Sequence, residues 1–158
     1  MSTQLPATQI DPAAEAPPAV RAWTRLLRAH ATTRRLLNAE LQAEHGLTIN
    51  DYEALQVLSC AEERRMKRVD LARRLVLTPS GVTRLLEGLE RAGLVERTAC
   101  SSDLRVVYAQ LTDAGLAKVR EVSCGHEGSI RTMFEEHLSP AQIEQLAAFL
   151  GRLPGGAD

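Results

Sequence analysis

The sequence predicts a mainly α fold carrying one small β-hairpin, and three observations in its 158 residues predict it. Apolar residues recur mostly at three- and four-residue spacing, the signature of helices that bury one stripe. Period-two alternation is confined to one stretch near the middle, where Val107, Ala109 and Leu111 share a face. Aromatic residues make up only 3% of the chain, so Leu, Val and Ala must fill the core, which suits helix-on-helix packing.

Residues 1–16 are Pro- and Ala-rich without periodicity and are expected to form a disordered N-terminal tail. Beyond Pro17 and Pro18, the positions Val20, Trp23, Leu27, His30, Leu37 and Leu41 keep helical spacing, and Gly46 closes this long first helix. Thr48, with Asp51 three residues on, forms a capping arrangement for a second helix bearing Tyr52, Leu55, Val57 and Leu58. A short basic connection over 64–68, loop or small strand, leads to a third helix over 69–75 with Leu71, Ala72 and Leu75 inward. Val76 and Leu77 form the turn that follows.

The next helix has the clearest limits. Thr78 can cap it, Pro79 has no amide hydrogen to leave unsatisfied, and Gly93 supplies the positive φ of a left-handed stop. Val82, Leu85, Leu86 and Leu89 make its apolar stripe, leaving Ser80, Gly81, Thr83, Arg84, Glu87 and Arg91 elsewhere. Two short strands follow, about 95–98 and 106–111, joined by a polar loop. From Thr112 a long helix runs to about residue 137; Gly125 and Gly128, each roughly 1 kcal/mol worse than Ala in a helix, weaken it locally and leave a kink or break there as the alternative. Ser139 and Gln142 form a second capping box, with Pro140 at the first helical position, for a last helix carrying Ile143, Leu146, Ala147, Phe149 and Leu150.

The formal charge of −1 hides a division along the chain. Residues 1–63 hold five Arg against eight acidic groups, residues 64–111 hold ten Lys and Arg against five, and residues 112–158 hold four against seven. The local balances are −3, +5 and −3, so positive charge gathers on the helix and hairpin, as a phosphate-facing surface requires.

Several function classes lack support. No apolar run approaches membrane-spanning length and no secretory signal pattern is present, so a cytoplasmic protein without membrane contact is expected. Cys60, Cys100 and Cys124 are odd in number and widely spaced, which gives no disulfide framework; Cys60 is expected to be a small buried hydrophobe. His30, His45, His126 and His137 lack metal-ligand spacing. No nucleophile elbow, phosphate-cradling glycine loop or HExxH motif supports an enzyme, and no cofactor is expected.

A capped helix with small polar groups and an arginine near its start, followed by a hairpin, is the pattern of a winged helix-turn-helix. The helix enters a DNA major groove and the hairpin, the wing, reaches the adjoining backbone or minor groove. The stretch VDLARRLVLTPSGVTRLLEGLERAGLVERTACSSDLRVVYAQLTDAG resembles the DNA-binding core of the multiple-antibiotic-resistance regulator (MarR) family. Asp103-Leu104-Arg105 and Leu111-Thr112-Asp113-Ala114-Gly115 carry the likeness at the family's spacing. The resemblance implies a winged helix-turn-helix over 47–111, with 17–46 and 112–153 as a helical dimerisation region. It also implies a homodimeric, ligand-responsive repressor that binds a palindromic operator in double-stranded DNA.

The expected DNA contacts are Thr78, Ser80, Gly81, Thr83 and Arg84, with Arg84 the candidate guanine reader and Gly81 allowing close approach of the helix end. In the wing, Arg105 is the expected contact and Asp103 its positioner; Arg68, Arg73 and Arg74 are candidate phosphate contacts beside the solubility role such charges usually have. Trp23 and His30 are candidate contacts for a small-molecule effector, with helix packing the simpler role for Trp23. Cys100, next to the wing, is the candidate redox thiol, although the peroxide-sensing relatives carry their cysteine near the start of the first long helix, where this chain has none. A thiol- or metal-responsive regulator of the same fold, and a winged-helix protein-interaction module without DNA binding, are the alternative readings.

Overall fold

The computed structural model describes residues 16–99 and 107–156. Two compact units divide the chain between Leu36 and Leu37. Helix α1 (Pro18–His45) begins in the first unit, where Val20, Trp23 and Leu27 are exposed, and ends in the second, where Leu37 and Leu41 are buried. Gly46 stops it at φ +68°, the left-handed conformation that glycine adopts without strain.

The second unit is built on α2 (Ile49–Cys60), whose start has the expected capping box. Asp51 N donates to Thr48 Oγ1 at 3.1 Å, and Thr48 N donates back to the Asp51 carboxylate at 2.9 Å. Tyr52, Ala54, Leu55 and Leu58 are buried along one side of α2. Cys60 is exposed, contrary to the sequence expectation. Two residues beyond Leu58 lie some 200° around the helix, so the stripe that buries Leu55 and Leu58 turns Cys60 outward.

A 3₁₀ turn (Glu62–Arg64) leads into strand β1 (Arg65–Lys67), and helices α3 (Arg68–Arg74) and α4 (Pro79–Arg91) follow. Strands β2 (Val95–Ala99) and β3 (Val107–Leu111) complete an antiparallel sheet of order β1-β3-β2. The expected two-stranded hairpin is therefore the larger part of a three-stranded sheet. Ala109, at the centre of β3, pairs with Met66 on one side and Arg97 on the other. Ala109 and Leu111 are buried, as their alternation requires, and they join Val82, Leu86 and Leu89 of α4 in one core with α2.

Helix α5 (Asp113–Glu135) is unbroken through Gly125 and Gly128. The long helix expected from Thr112 is present without a break, because the glycine penalties, roughly 1 kcal/mol each, are outweighed by packing on both sides: Val119 and Val122 are buried before them, and Ile130 and Met133 are packed against the core after them. Tyr52 Oη donates to Ser123 at 3.1 Å, and the His126 ring meets the Tyr52 ring edge-on with centroids 4.9 Å apart. The last helix, α6 (Pro140–Leu150), has its capping box at Ser139 and buries no residue. Among the described residues no helix is long and apolar enough to cross a membrane.

Candidate nucleic-acid interface

Helices α3 and α4 and the turn between them form a helix-turn-helix. In the turn, Leu77 N donates back to Ala72 O at 2.9 Å while Val76 takes φ +53° and is 91% exposed. A β-branched side chain gains nothing from this left-handed conformation, which is ordinarily occupied by glycine.

Helix α4 starts where the sequence places it. Thr78 has extended backbone angles and its Oγ1 accepts from Gly81 N at 3.1 Å, with Pro79 in the first turn. A Cβ on Gly81 would lie 3.1 Å from Thr78 Oγ1, so this glycine spares the capping hydroxyl as well as shortening the profile of the helix end. Val82, Leu86 and Leu89 are buried at 1%, 1% and 2% exposure, which fixes the rotation of the helix about its axis. Ser80, Arg84, Glu87 and Arg91 therefore point to solvent. The exposed N-terminal turn also carries the positive end of the helix dipole, which favours phosphate.

The cations around this helix are differently engaged. Arg84 and Arg74 are exposed, and neither has an ion pair among the described residues. Arg73 meets Asp70 at 3.2 Å in an exposed pair, which holds it only weakly. Arg68 is half-buried and turns inward, where Nη2 donates to Thr83 Oγ1. Arg68, Val69, Arg73, Val76, Pro79 and Thr83 line an open groove of about 940 Å³ between α3 and α4.

Sequence reasoning missed Arg97. From β2 its Nε donates to Glu90 Oε1 at 2.6 Å, and Nη2 lies 3.9 Å from Glu87 Oε1. The hydrogen bond donated to Glu90, and then the charge of that carboxylate, raise the guanidinium pKa further, so the sheet is tied to α4 by a permanent cation. Glu87 and Glu90 on neighbouring turns were the available signal, but pairing them with Arg97 needs the helix-to-strand crossing. The ladder of β2 and β3 reaches the Ala99–Val107 pair. Cys100, Asp103 and Arg105 come next in the chain and lie outside the described residues, as does the tail over 1–15.

Trp23 and His30 are both exposed on α1. Among the described residues no three His, Cys, Asp or Glu side chains are grouped to hold a metal ion. Lys118 donates to Glu121 Oε1 at 2.9 Å, and His45 Nδ1 lies 3.2 Å from the same oxygen; the hydrogen bond from Lys118 first, and that with His45 second, lower the Glu121 pKa.

The sequence model of the MarR family matches residues 47–107. Among solved structures, AbsC, a MarR family transcriptional regulator from Streptomyces coelicolor, is 36% identical, with 82% of this chain and 86% of that chain covered and a TM-score of 0.74. Sco3205, a MarR family transcriptional regulator from the same organism solved in complex with DNA, is 29% identical over 87% of this chain and 89% of its own, with a TM-score of 0.76. Among characterised sequences, the HTH-type transcriptional repressor YetL of Bacillus subtilis (strain 168) is 31% identical over 111 residues, 70% of this chain and 66% of the repressor.

Proposed function

The chain belongs to the MarR family of transcriptional regulators, and from that premise we propose that it is a cytoplasmic, homodimeric repressor that binds an inverted-repeat operator in duplex DNA. The observation that carries this is the division of α4 into a buried side, Val82, Leu86 and Leu89, and a side bearing Ser80 and Arg84 with no partner for the arginine among the described residues. A charged face held rigidly from behind is what groove recognition needs. In this reading Thr78, Ser80, Gly81, Thr83 and Arg84 face base edges, Arg73 and Arg74 face phosphates, and Arg105 and Asp103 extend the contact into the wing. The likeness to Sco3205, which was solved with DNA, supports the same assignment.

Dimerisation falls to the helical flanks over 17–46 and 112–153. Each leaves apolar surface uncovered in the single chain: Val20, Trp23 and Leu27 in the first, Phe149 and Leu153 in the last. A second copy covers such surface and doubles the reading heads, so that an inverted repeat matches the twofold symmetry. A small-molecule effector acts by binding one spacing of the two heads more tightly than the other, since equal affinity for both shifts nothing. Trp23 and His30 are the candidate contacts for it.

Selection of bound sequences from random duplex DNA tests the reading, with sedimentation measured on the same protein. The expected result is a dimer that enriches an inverted repeat whose half-sites lie about one helical turn apart. No enriched sequence, or enrichment by a monomer of a single unrepeated site, would overturn it.

A further inference from the structure

Thr83 lies on the second turn of α4, half-buried, and the two partners of its hydroxyl have roles fixed by their chemistry. The Arg68 guanidinium carries donors only, so in its hydrogen bond Thr83 Oγ1 must accept. The Pro79 carbonyl, 2.9 Å away, can only accept, so the single hydroxyl proton of Thr83 must go to it. One of the two lone pairs on Oγ1 is taken by Arg68. What remains available to a third partner is one lone pair, with no proton to give.

Arg68 is itself unusual. It is half-buried at the first position of α3, it has no carboxylate partner among the described residues, and its hydrogen bond is to a neutral hydroxyl. The guanidinium thus spends a donor inside the helix-turn-helix, whereas Arg74 and Arg84 are exposed. The pair also ties the start of α3 to the reading helix across the groove between them.

We propose that Arg68 is a positioning residue that holds Thr83 Oγ1 in the orientation in which its proton is spent on the Pro79 carbonyl and one lone pair is left, so that each head selects, at the base facing Thr83, an exocyclic amino group. In the major groove that group is adenine N6 or cytosine N4; guanine and thymine present acceptors at the equivalent edge, and an acceptor facing the lone pair of Thr83 is repelled. The inference rests on the DNA-binding reading and adds to it the polarity of one contact. It also removes Arg68 from the phosphate contacts.

The test is selection from random duplex DNA with the full chain and with Arg68→Ala, Thr83→Val and Thr83→Ser, alongside the salt dependence of binding to the best site. Thermal denaturation checks that each variant is folded, and Thr83→Val keeps the shape of the side chain if Arg68→Ala is not. The wild-type chain should favour adenine or cytosine over guanine or thymine at one position per half-site by ~5-fold, the size of one net hydrogen bond. Thr83→Ser should keep that preference and Thr83→Val should lose it. Arg68→Ala should weaken it while leaving the slope of log K against log salt unchanged, whereas loss of a phosphate contact lowers that slope by about 0.9. A preference that survives Thr83→Val, or an Arg68→Ala chain with a lowered slope and intact preference, overturns the proposal and leaves DNA binding standing. A wild-type chain that enriches no sequence overturns the DNA-binding reading itself.

Discussion

Replacing Gly115 by alanine sets two effects of opposite sign against each other in one helix. Alanine is the better helix former by at most ~1 kcal/mol. Gly115, however, lies where the first turn of α5 passes the end of α4: a Cβ there would come 2.2 Å from the carbonyl oxygen of Leu94 and 2.6 Å from Leu111 Cδ1. The Leu111 side chain can rotate, but the Leu94 carbonyl is fixed, since it accepts from Thr112 N at 3.1 Å. Relief therefore requires moving α5 away from the core, at the overpacking cost of roughly 1–3 kcal/mol or more. The clash wins, and Gly115→Ala should lose about 1–2 kcal/mol net. At roughly 2–4 °C per kcal/mol for a chain of this size, the midpoint should fall by several degrees. Gly125 in the same helix is the control, because nothing lies within 4 Å of the Cβ it would carry. Gly125→Ala should gain ~0.5–1 kcal/mol. Urea denaturation of the three proteins measures both changes. A Gly115→Ala chain as stable as wild type, with Gly125→Ala stabilised as expected, would refute the claim that backbone proximity selects glycine at 115.

Three further outcomes are expected. Arg84→Ala should lose ~1–3 kcal/mol of operator binding and relax the choice at one base per half-site, whereas Arg74→Ala should weaken all sequences alike; competition assays with single-base operator variants separate the two. Val76→Gly should raise stability by ~0.5–1 kcal/mol, because the left-handed strain at φ +53° exceeds the extra chain entropy of glycine and the exposed side chain packs on little; an unchanged denaturation midpoint would show that the strain is absent. The pKa of His126 is lowered from its ordinary 6.5, chiefly by desolvation against Tyr52 and its neighbours, partly offset by the charge of Glu40, Glu53 and Glu127. The unfolded chain therefore binds the proton more readily than the folded one, so this contribution to stability is complete above pH 6.5 and is lost as pH falls from there through the folded pKa. Denaturation midpoints between about pH 5 and 7.5 should show this loss in wild type and a shallower one in His126→Phe.

The sequence by itself determined where helices start and stop and which side of each is buried. Thr48 and Ser139 sit in the capping boxes that Asp51 and Gln142 announced, Thr78 caps the helix that Pro79 opens, Gly46 and Gly93 stop helices at positive φ, and the stripe of Val82, Leu86 and Leu89 is the buried side of α4. These are legible because the partners are a turn away, so composition and spacing contain the whole interaction. From them the exposure of Ser80 and Arg84 followed. Only the tertiary structure decided what depends on a distant partner. Arg65 to Lys67 is too short to declare itself a strand and becomes one because β3 offers a free edge some forty residues on. Arg97 binds Glu90 across the helix-to-strand crossing, and Gly115 is required by a carbonyl twenty-one positions earlier. Arg68 lies in a basic stretch that shows no partner for it in sequence; α3 and α4 cross so that it donates to Thr83. Gly125 and Gly128 weaken α5 by local propensity, and the packing of Val122 and Ile130 on either side decides that the helix runs through them. The division is physical: caps and stripes are fixed by short-range geometry, whereas the polarity of a hydroxyl or the need for a glycine is fixed by whichever group the fold brings beside it.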